Sequence, residues 1–385
     1  MTQLAVRRLR VRLSSSWGKR LVLISPPAFI VLIVCLSQPV FADDEQHPEW
    51  TADSYARYPF PVFVDDFDRY PGSAPPAGTV NRHGEIEYIG DGVFGVHWFV
   101  AANNATWHFV TAGDPSKDTV LLIHGHPDTW YAFSKVMSLL ADRYYVIAVD
   151  TLGYGQSDKS LQLDLSYAGV SASLVALLDK IDVQTFNLVT HDRGSVISDH
   201  LIATPGMNTR VLSFLRMQQS FDQPHGLPRP AHSQMAEPEW QGGNVVRGIY
   251  DSPYVSVRIP EAELARLEWE FRFPGTPEAA ARTFQGTSFE IERDFRLKNT
   301  IPKMTMPVVL LQGIRDPGQH AEEYFRSAEK IPNGHVVLVD ANHFVHTEDP
   351  GLVARIAHRL FERKNQDRPT KVSSEPVNFL YPEKQ

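Results

Sequence analysis

Six short, nearly unbroken apolar runs punctuate the chain, at residues 119–123, 145–149, 186–189, 211–215, 308–311 and 336–339. Runs of this length without polar alternation are what strands need when both faces of their sheet are covered. Between them lie stretches with helical spacing, at 130–140, 167–181, 196–203, 319–329 and 352–363. Strand alternating with helix implies an α/β chain, a mostly parallel sheet with helices on both faces. Ahead of these runs, Val96, Trp98 and Val100, then Trp107 and Phe109, alternate around Asn103-Asn104, which predicts a hairpin. Residues 220–306 break the alternation with Pro, Trp, Arg and Glu in helical pieces. Inserted after the sixth predicted strand, they read as a helical cap over the carboxyl ends of the strands, where open α/β sheets bind their ligands.

The ends of the chain follow a different pattern. Arg7, Arg8, Arg10, Arg12, Lys19 and Arg20 precede an apolar stretch at 21–36, and Val40-Phe41-Ala42 offers a small-residue cleavage site. This predicts a signal peptide over 1–42, with the mature chain periplasmic or secreted and no stable membrane insertion after cleavage. Residues 43–93, rich in Pro, Tyr, Phe and Asp, read as an extended N-terminal arm, 94–219 with 307–363 as the core, and polar 364–385 as a disordered tail. The chain has 37 basic and 45 acidic residues; the leader removes six of the former and none of the latter, so the mature net charge is 31 − 45 = −14. Such an excess of acid argues against nucleic acid as a partner and leaves a small-molecule substrate as the expected one. The single cysteine, Cys35, lies inside the leader, so no disulfide or thiolate site is expected beyond it.

The stretch 186–195, Phe-Asn-Leu-Val-Thr-His-Asp-Arg-Gly-Ser, places Asp192 on the turn between a buried strand and a helix that begins with small residues. That is the layout of a nucleophile elbow, which holds its central side chain out above the sheet. The central residue here is an acid, and no Gly-x-Ser-x-Gly occurs anywhere, which disfavours a serine esterase. Three further motifs surround it. His124-Gly125-His126-Pro127 follows one strand, and the amides of His126 and Arg193 form the expected oxyanion hole. Asp316 follows the strand at 308–311, and His343 the strand at 336–339. One acid at a strand end is more often a helix cap, as Asp349-Pro350 is, but the ordered set Asp192, Asp316, His343 is harder to explain that way. His124-x-His126-x-Asp128 superficially matches a metal-ligand run; Thr129 stands where another histidine is expected, and the oxyanion turn accounts for the same residues better, so neither metal nor cofactor is expected.

These motifs, with Gly153-Tyr154-Gly155-Gln156-Ser157-Asp158 and Glu348-Asp349-Pro350, resemble the α/β-hydrolase superfamily in its epoxide hydrolase and haloalkane dehalogenase branch. The resemblance implies the α/β-hydrolase fold, Asp192 as nucleophile, His343 as base and Asp316 as its orienting acid. It also implies an alkyl-enzyme ester that water then cleaves, with cap tyrosines protonating the leaving oxygen; Tyr250 and Tyr254 are the candidates, and Phe284 stands where a second tyrosine is expected. Arg193 resembles the arginine with which fluoroacetate dehalogenases hold a carboxylate, although Val196 replaces the second arginine of that motif. Haloalkane dehalogenases usually carry tryptophan and asparagine in place of Arg193 and His126. The expectation is an epoxide hydrolase-like enzyme, with haloalkane or haloacid dehalogenation as the alternative and a non-catalytic binding protein on the same fold as a third class.

Overall fold

The computed structural model describes residues 70, 72–222, 234–285 and 287–362, together with two paired dipeptides, Leu23–Ile24 and Val31–Leu32. The cleavage site, most of the leader, residues 43–69 and the tail fall outside the described residues. Nine strands form one sheet among them: β1 (Ile86–Gly90), β2 (Val93–Ala102), β3 (Ala105–Ala112), β4 (Thr119–Ile123), β5 (Tyr145–Val149), β6 (Phe186–His191), β7 (Val211–Met217), β8 (Val308–Gly313) and β9 (Gly334–Val339). Their order is β9-β8-β7-β6-β4-β5-β3-β2-β1. All pairs from β9 to β5 are parallel, and β5-β3, β3-β2 and β2-β1 are antiparallel.

The apolar runs occupy the parallel part for a simple reason. Strand side chains point alternately to opposite faces, and here both faces are buried. Val120 and Leu122 join one core with α1 (Ser134–Leu140) and the C-terminal helix Pro350–Glu362; Leu121 and Ile123 join the other, with α2 (Tyr167–Lys180) and α3 (Arg193–Ala203). The β2-β3 hairpin turns at Asn103 and Asn104, both with positive φ (49° and 61°), the conformation a two-residue hairpin turn with right-handed strand twist requires.

One strand lies inside the stretch read as an arm. Residues 86–90, Ile-Glu-Tyr-Ile-Gly, pair with β2 as the edge of the sheet, with Tyr88 and Phe94 in edge-to-face contact across the pair. Because β1 adds a strand, the cap follows the seventh strand of the sheet, β7, rather than the sixth. The cap carries α4 (Pro238–Gln241), α5 (Val245–Tyr250), α6 (Glu261–Phe271), α7 (Thr276–Phe284) and α8 (Phe289–Phe295). After β8 comes α9 (Ala321–Ala328), and Pro350–Glu362 is α10.

Buried charges fasten the cap to the sheet. Arg266 of α6 reaches Glu87 of β1 (3.0 Å) and Glu270 (2.5 Å), all three nearly solvent-free. Burial opposes ionisation of Glu87, but Arg266 and His97 hold its carboxyl down to about 2. From Glu87 a chain of hydrogen bonds crosses the antiparallel strands: His97 (3.0 Å), His108 (2.9 Å) and Asp150 (2.7 Å) at the end of β5. At the other side Asp199 of α3 sits between Arg216 of β7 (2.7 Å) and Arg296 near the end of the cap (3.1 Å).

A buried ion loses far more when its partner is removed than an exposed one does. Arg266→Ala is expected to lower the unfolding free energy by about 3–5 kcal/mol. Arg143→Ala, which breaks an exposed pair with Glu362 (3.0 Å), should cost less than about 1 kcal/mol. Urea denaturation of both variants checks this, and equal losses would contradict the anchoring role of Arg266.

Candidate active site

The parallel strands all end on one edge, and the polar side chains singled out in the sequence gather there. Asp192 stands between the last residue of β6 and the first of α3 with φ 45° and ψ −115°, a region that a non-glycine residue rarely adopts. Its neighbours impose this. A Cβ on Gly194 would lie 2.3 Å from the carbonyl oxygen of Ile123, and one on Gly125 would lie 2.5 Å from the Cβ of Asp192. Only glycine at both places lets helix, strand and oxyanion turn approach so closely. The amide of Asp192 donates to the carbonyl of Met217 on β7 (3.1 Å).

The carboxylate of Asp192 is held from two sides. The amide of His126, beside the cis peptide before Pro127, donates to Oδ1 (3.1 Å), and Nε2 of His343 faces Oδ2 at 3.6 Å. Nδ1 of His343 donates to Oδ2 of Asp316 at 2.7 Å, and Oδ1 of Asp316 accepts the amide of Gly318 at 2.8 Å. Burial disfavours the charged form of Asp192, yet His343 and Arg193 outweigh it and hold the carboxyl far below the ordinary range. Burial likewise works against a charged His343, and the carboxylates of Asp316 and Asp192 push it up to about 10. The resting site is therefore an imidazolium between two carboxylates. Neutralising Asp192 would remove one of those charges, and with it part of what holds the proton on the ring.

Residues 120–356 match the sequence profile described as the alpha/beta hydrolase family, well over half of the chain. The chain belongs to the alpha/beta hydrolase family. AB hydrolase superfamily protein YfhM of Bacillus subtilis is 23% identical to it over 283 residues, covering 67% of this chain and 95% of that one. A haloalkane dehalogenase of Psychrobacter cryohalolentis is 25% identical over 271 residues, covering 65% and 85%. Among solved structures, epoxide hydrolase VrEH1 from Vigna radiata superposes with a TM-score of 0.57 at 19% identity, covering 70% of this chain and 98% of that one. At such identity the last likeness is one of fold.

The remaining residues singled out in this alpha/beta hydrolase separate into two groups. Tyr254 belongs to the site: its ring meets His343 edge-on at 5.5 Å, and its carbonyl accepts the His343 amide (2.8 Å). Tyr250 is committed elsewhere, because its hydroxyl donates to Oδ1 of Asp128 at 2.6 Å. Arg193 lies with Nε 3.9 Å from Oδ1 of Asp192, its guanidinium between the rings of Phe284 (4.9 Å) and Phe289 (5.0 Å). Phe284 also packs edge-on against His126 at 5.1 Å. The metal-ligand run of the sequence does not close. His124 bonds through Nδ1 to the carbonyl of Gly125 (2.7 Å) and accepts the amide of Thr151 at Nε2 (3.0 Å), and Nδ1 of His126 meets the hydroxyl of Tyr154 (3.1 Å).

Two contributors were not singled out. Tyr154 orients His126 from a loop whose shape depends on Gly155 (φ 52°), where a Cβ would fall 2.0 Å from the carboxylate of Asp150. Trp240 stacks on His126 from the cap at 6.2 Å. The glycines flanking Tyr154 signalled a tight turn; nothing in the sequence pointed Trp240 at the site.

Proposed function

We propose that this hydrolase opens a small epoxide through a covalent ester on Asp192. One observation carries the reading: Asp192 has one carboxylate oxygen on a backbone amide and the other facing a histidine that Asp316 holds. A carboxylate in that setting is a nucleophile with its intermediate's oxyanion site already built. Oδ2 attacks a ring carbon, the C–O bond breaks, and the departing oxygen takes a proton from Tyr254. Burial, then the carboxylates of Asp316 and Asp192, raise the Tyr254 phenol above its ordinary value, so it stays protonated and able to donate. With Asp192 esterified, His343 gives its resting proton through solvent to the Tyr254 phenolate, and the neutral ring then takes a proton from water, whose oxygen attacks Cγ of Asp192. The negative charge that develops on Oδ1 meets the His126 amide and the amide of Arg193 at the start of α3. Collapse gives back the Asp192 carboxylate and a diol, the acid proton passing to the departing alkoxide, and leaves His343 protonated as at the start. Export of the mature chain, expected from the basic and apolar leader, is part of the same proposal.

His343→Gln should keep the alkylation step and lose the hydrolysis step. With an epoxide that the native protein turns over, mass spectrometry of the variant should show one substrate added per chain, on the peptide carrying Asp192. Asp192→Asn should show no adduct. A His343→Gln protein that turns over normally, or an adduct on another peptide, would sink the assignment.

Arg193 supports a second reading, in which the same ester forms from a haloacid. Among the described residues its only ion-pair contact is Asp192, so the cap supplies no carboxylate at that distance to occupy it. A charge-assisted hydrogen bond to a substrate carboxylate contributes about 1.5–3 kcal/mol. Arg193→Gln should then lower kcat/KM about tenfold to 100-fold on 2-haloacids, with a smaller loss on neutral epoxides. Equal losses on both would remove the support for an anionic substrate.

A further inference from the structure

Next to the elbow, three side chains the reaction does not use converge. Asp128 ends the oxyanion turn, His191 is the last residue of β6, and His346 lies in the single helical turn Val345–Glu348 after His343. They are 2%, 0% and 1% exposed. One donor atom from each lies within 4.8 Å of the other two. Oδ2 of Asp128 is 3.4 Å from Nε2 of His346 and 3.8 Å from Nδ1 of His191. None of these three atoms has a hydrogen-bond partner, and Nδ1 of His346 has none either.

The proton inventory makes this arrangement costly as it stands. Nε2 of His191 lies 3.0 Å from the carbonyl oxygen of His343, which can only accept, so the proton of a neutral ring sits on Nε2. Nδ1 then turns a lone pair toward Oδ2 of Asp128, which has only lone pairs when ionised. The other oxygen, Oδ1, is already satisfied by the hydroxyl of Tyr250 (2.6 Å). Two acceptors facing each other in a dry interior are costly unless a proton or a metal ion lies between them.

We propose that Asp128, His191 and His346 bind a divalent first-row transition ion such as Zn(II). Two imidazole nitrogens and one carboxylate oxygen suit such an ion better than Ca(II) or Mg(II), which take oxygen ligands. Ligand atoms around a tetrahedral Zn(II) stand about 3.4 Å apart, against 3.4 and 3.8 Å from Asp128 to the two imidazoles and at most 4.8 Å for any pair here, so the set closes by drawing the two imidazoles together. The outer partners are in place as well: Tyr250 orients the carboxylate and the His343 carbonyl orients His191, the pattern by which buried metal ligands are held. The three ligands come from the oxyanion turn, the nucleophile strand and the segment after the catalytic histidine. The ion is a clip that fixes these three segments to one another, with a water completing its coordination. It stands independently of the Asp192 ester, since its test needs no turnover.

The full chain, purified without chelators and dialysed, is analysed for bound metal, then stripped and titrated with Zn(II) and with Co(II). The expected results are one equivalent of Zn(II) per chain, a rise in Tm with added Zn(II), and the visible absorption of four- or five-coordinate Co(II). His346→Gln and Asp128→Asn should each abolish stoichiometric uptake and the Co(II) bands. Should either variant fail to fold, the other variant and the Co(II) spectrum of the native chain decide. No stoichiometric uptake by the native chain, or Co(II) bands unchanged in a folded variant, would overturn the proposal.

Discussion

The site depends on a backbone that is held where it would not rest by itself. Asp192, at φ 45° and ψ −115°, costs about 1–3 kcal/mol relative to a relaxed residue, and the cost is offset by packing on every side. Gly194 lets α3 press onto the end of β4, Gly125 lets the oxyanion turn pass over the elbow, and β7 accepts the Asp192 amide. The parallel register makes this possible, because it brings Ile123, Thr190 and Arg216 level across three adjacent strands. Strain at one residue is thus shared by a sheet edge, and the same edge carries the oxyanion amide, the acid and the histidine.

Electrostatics follows from that placement. Burial alone would discharge a carboxylate at Asp192, and it stays charged because an imidazolium and a guanidinium face it. The same logic recurs at the cap, where Arg266 keeps Glu87 ionised inside the protein, and on the far face, where Asp199 lies between two arginines. The Glu87-His97-His108-Asp150 chain links the cap anchor to the loop that positions Tyr154, and Tyr154 in turn bonds to His126. Cap and oxyanion turn are therefore parts of one connected polar framework.

Much of this was legible in the sequence. Continuous apolar runs marked β4 to β8 because both faces of those strands are covered, and also the half-buried edge strand β9; their boundaries differ from the observed ones by at most two residues. Asp192, Asp316 and His343 were legible because each follows such a run. The edge strand β1 was not, since Glu87 breaks its apolar pattern and its burial is explained by His97 across the strands and by Arg266, 179 residues further on. The roles of the two cap tyrosines differ by hydrogen-bond partner, which sequence does not record. Asp128, His191 and His346 were invisible as a group for a similar reason: they are scattered along the chain, and a run of nearby histidines drew attention to Asp128 with partners it does not use.

The central claim is that water attacks Asp192 and never the substrate. A single turnover in heavy-oxygen water, with enzyme in excess over a substrate it hydrolyses, tests this most directly. The account predicts that the heavy oxygen appears in the carboxylate of Asp192 and that the product of that turnover carries none. Label in the product, with Asp192 unlabelled, would contradict it.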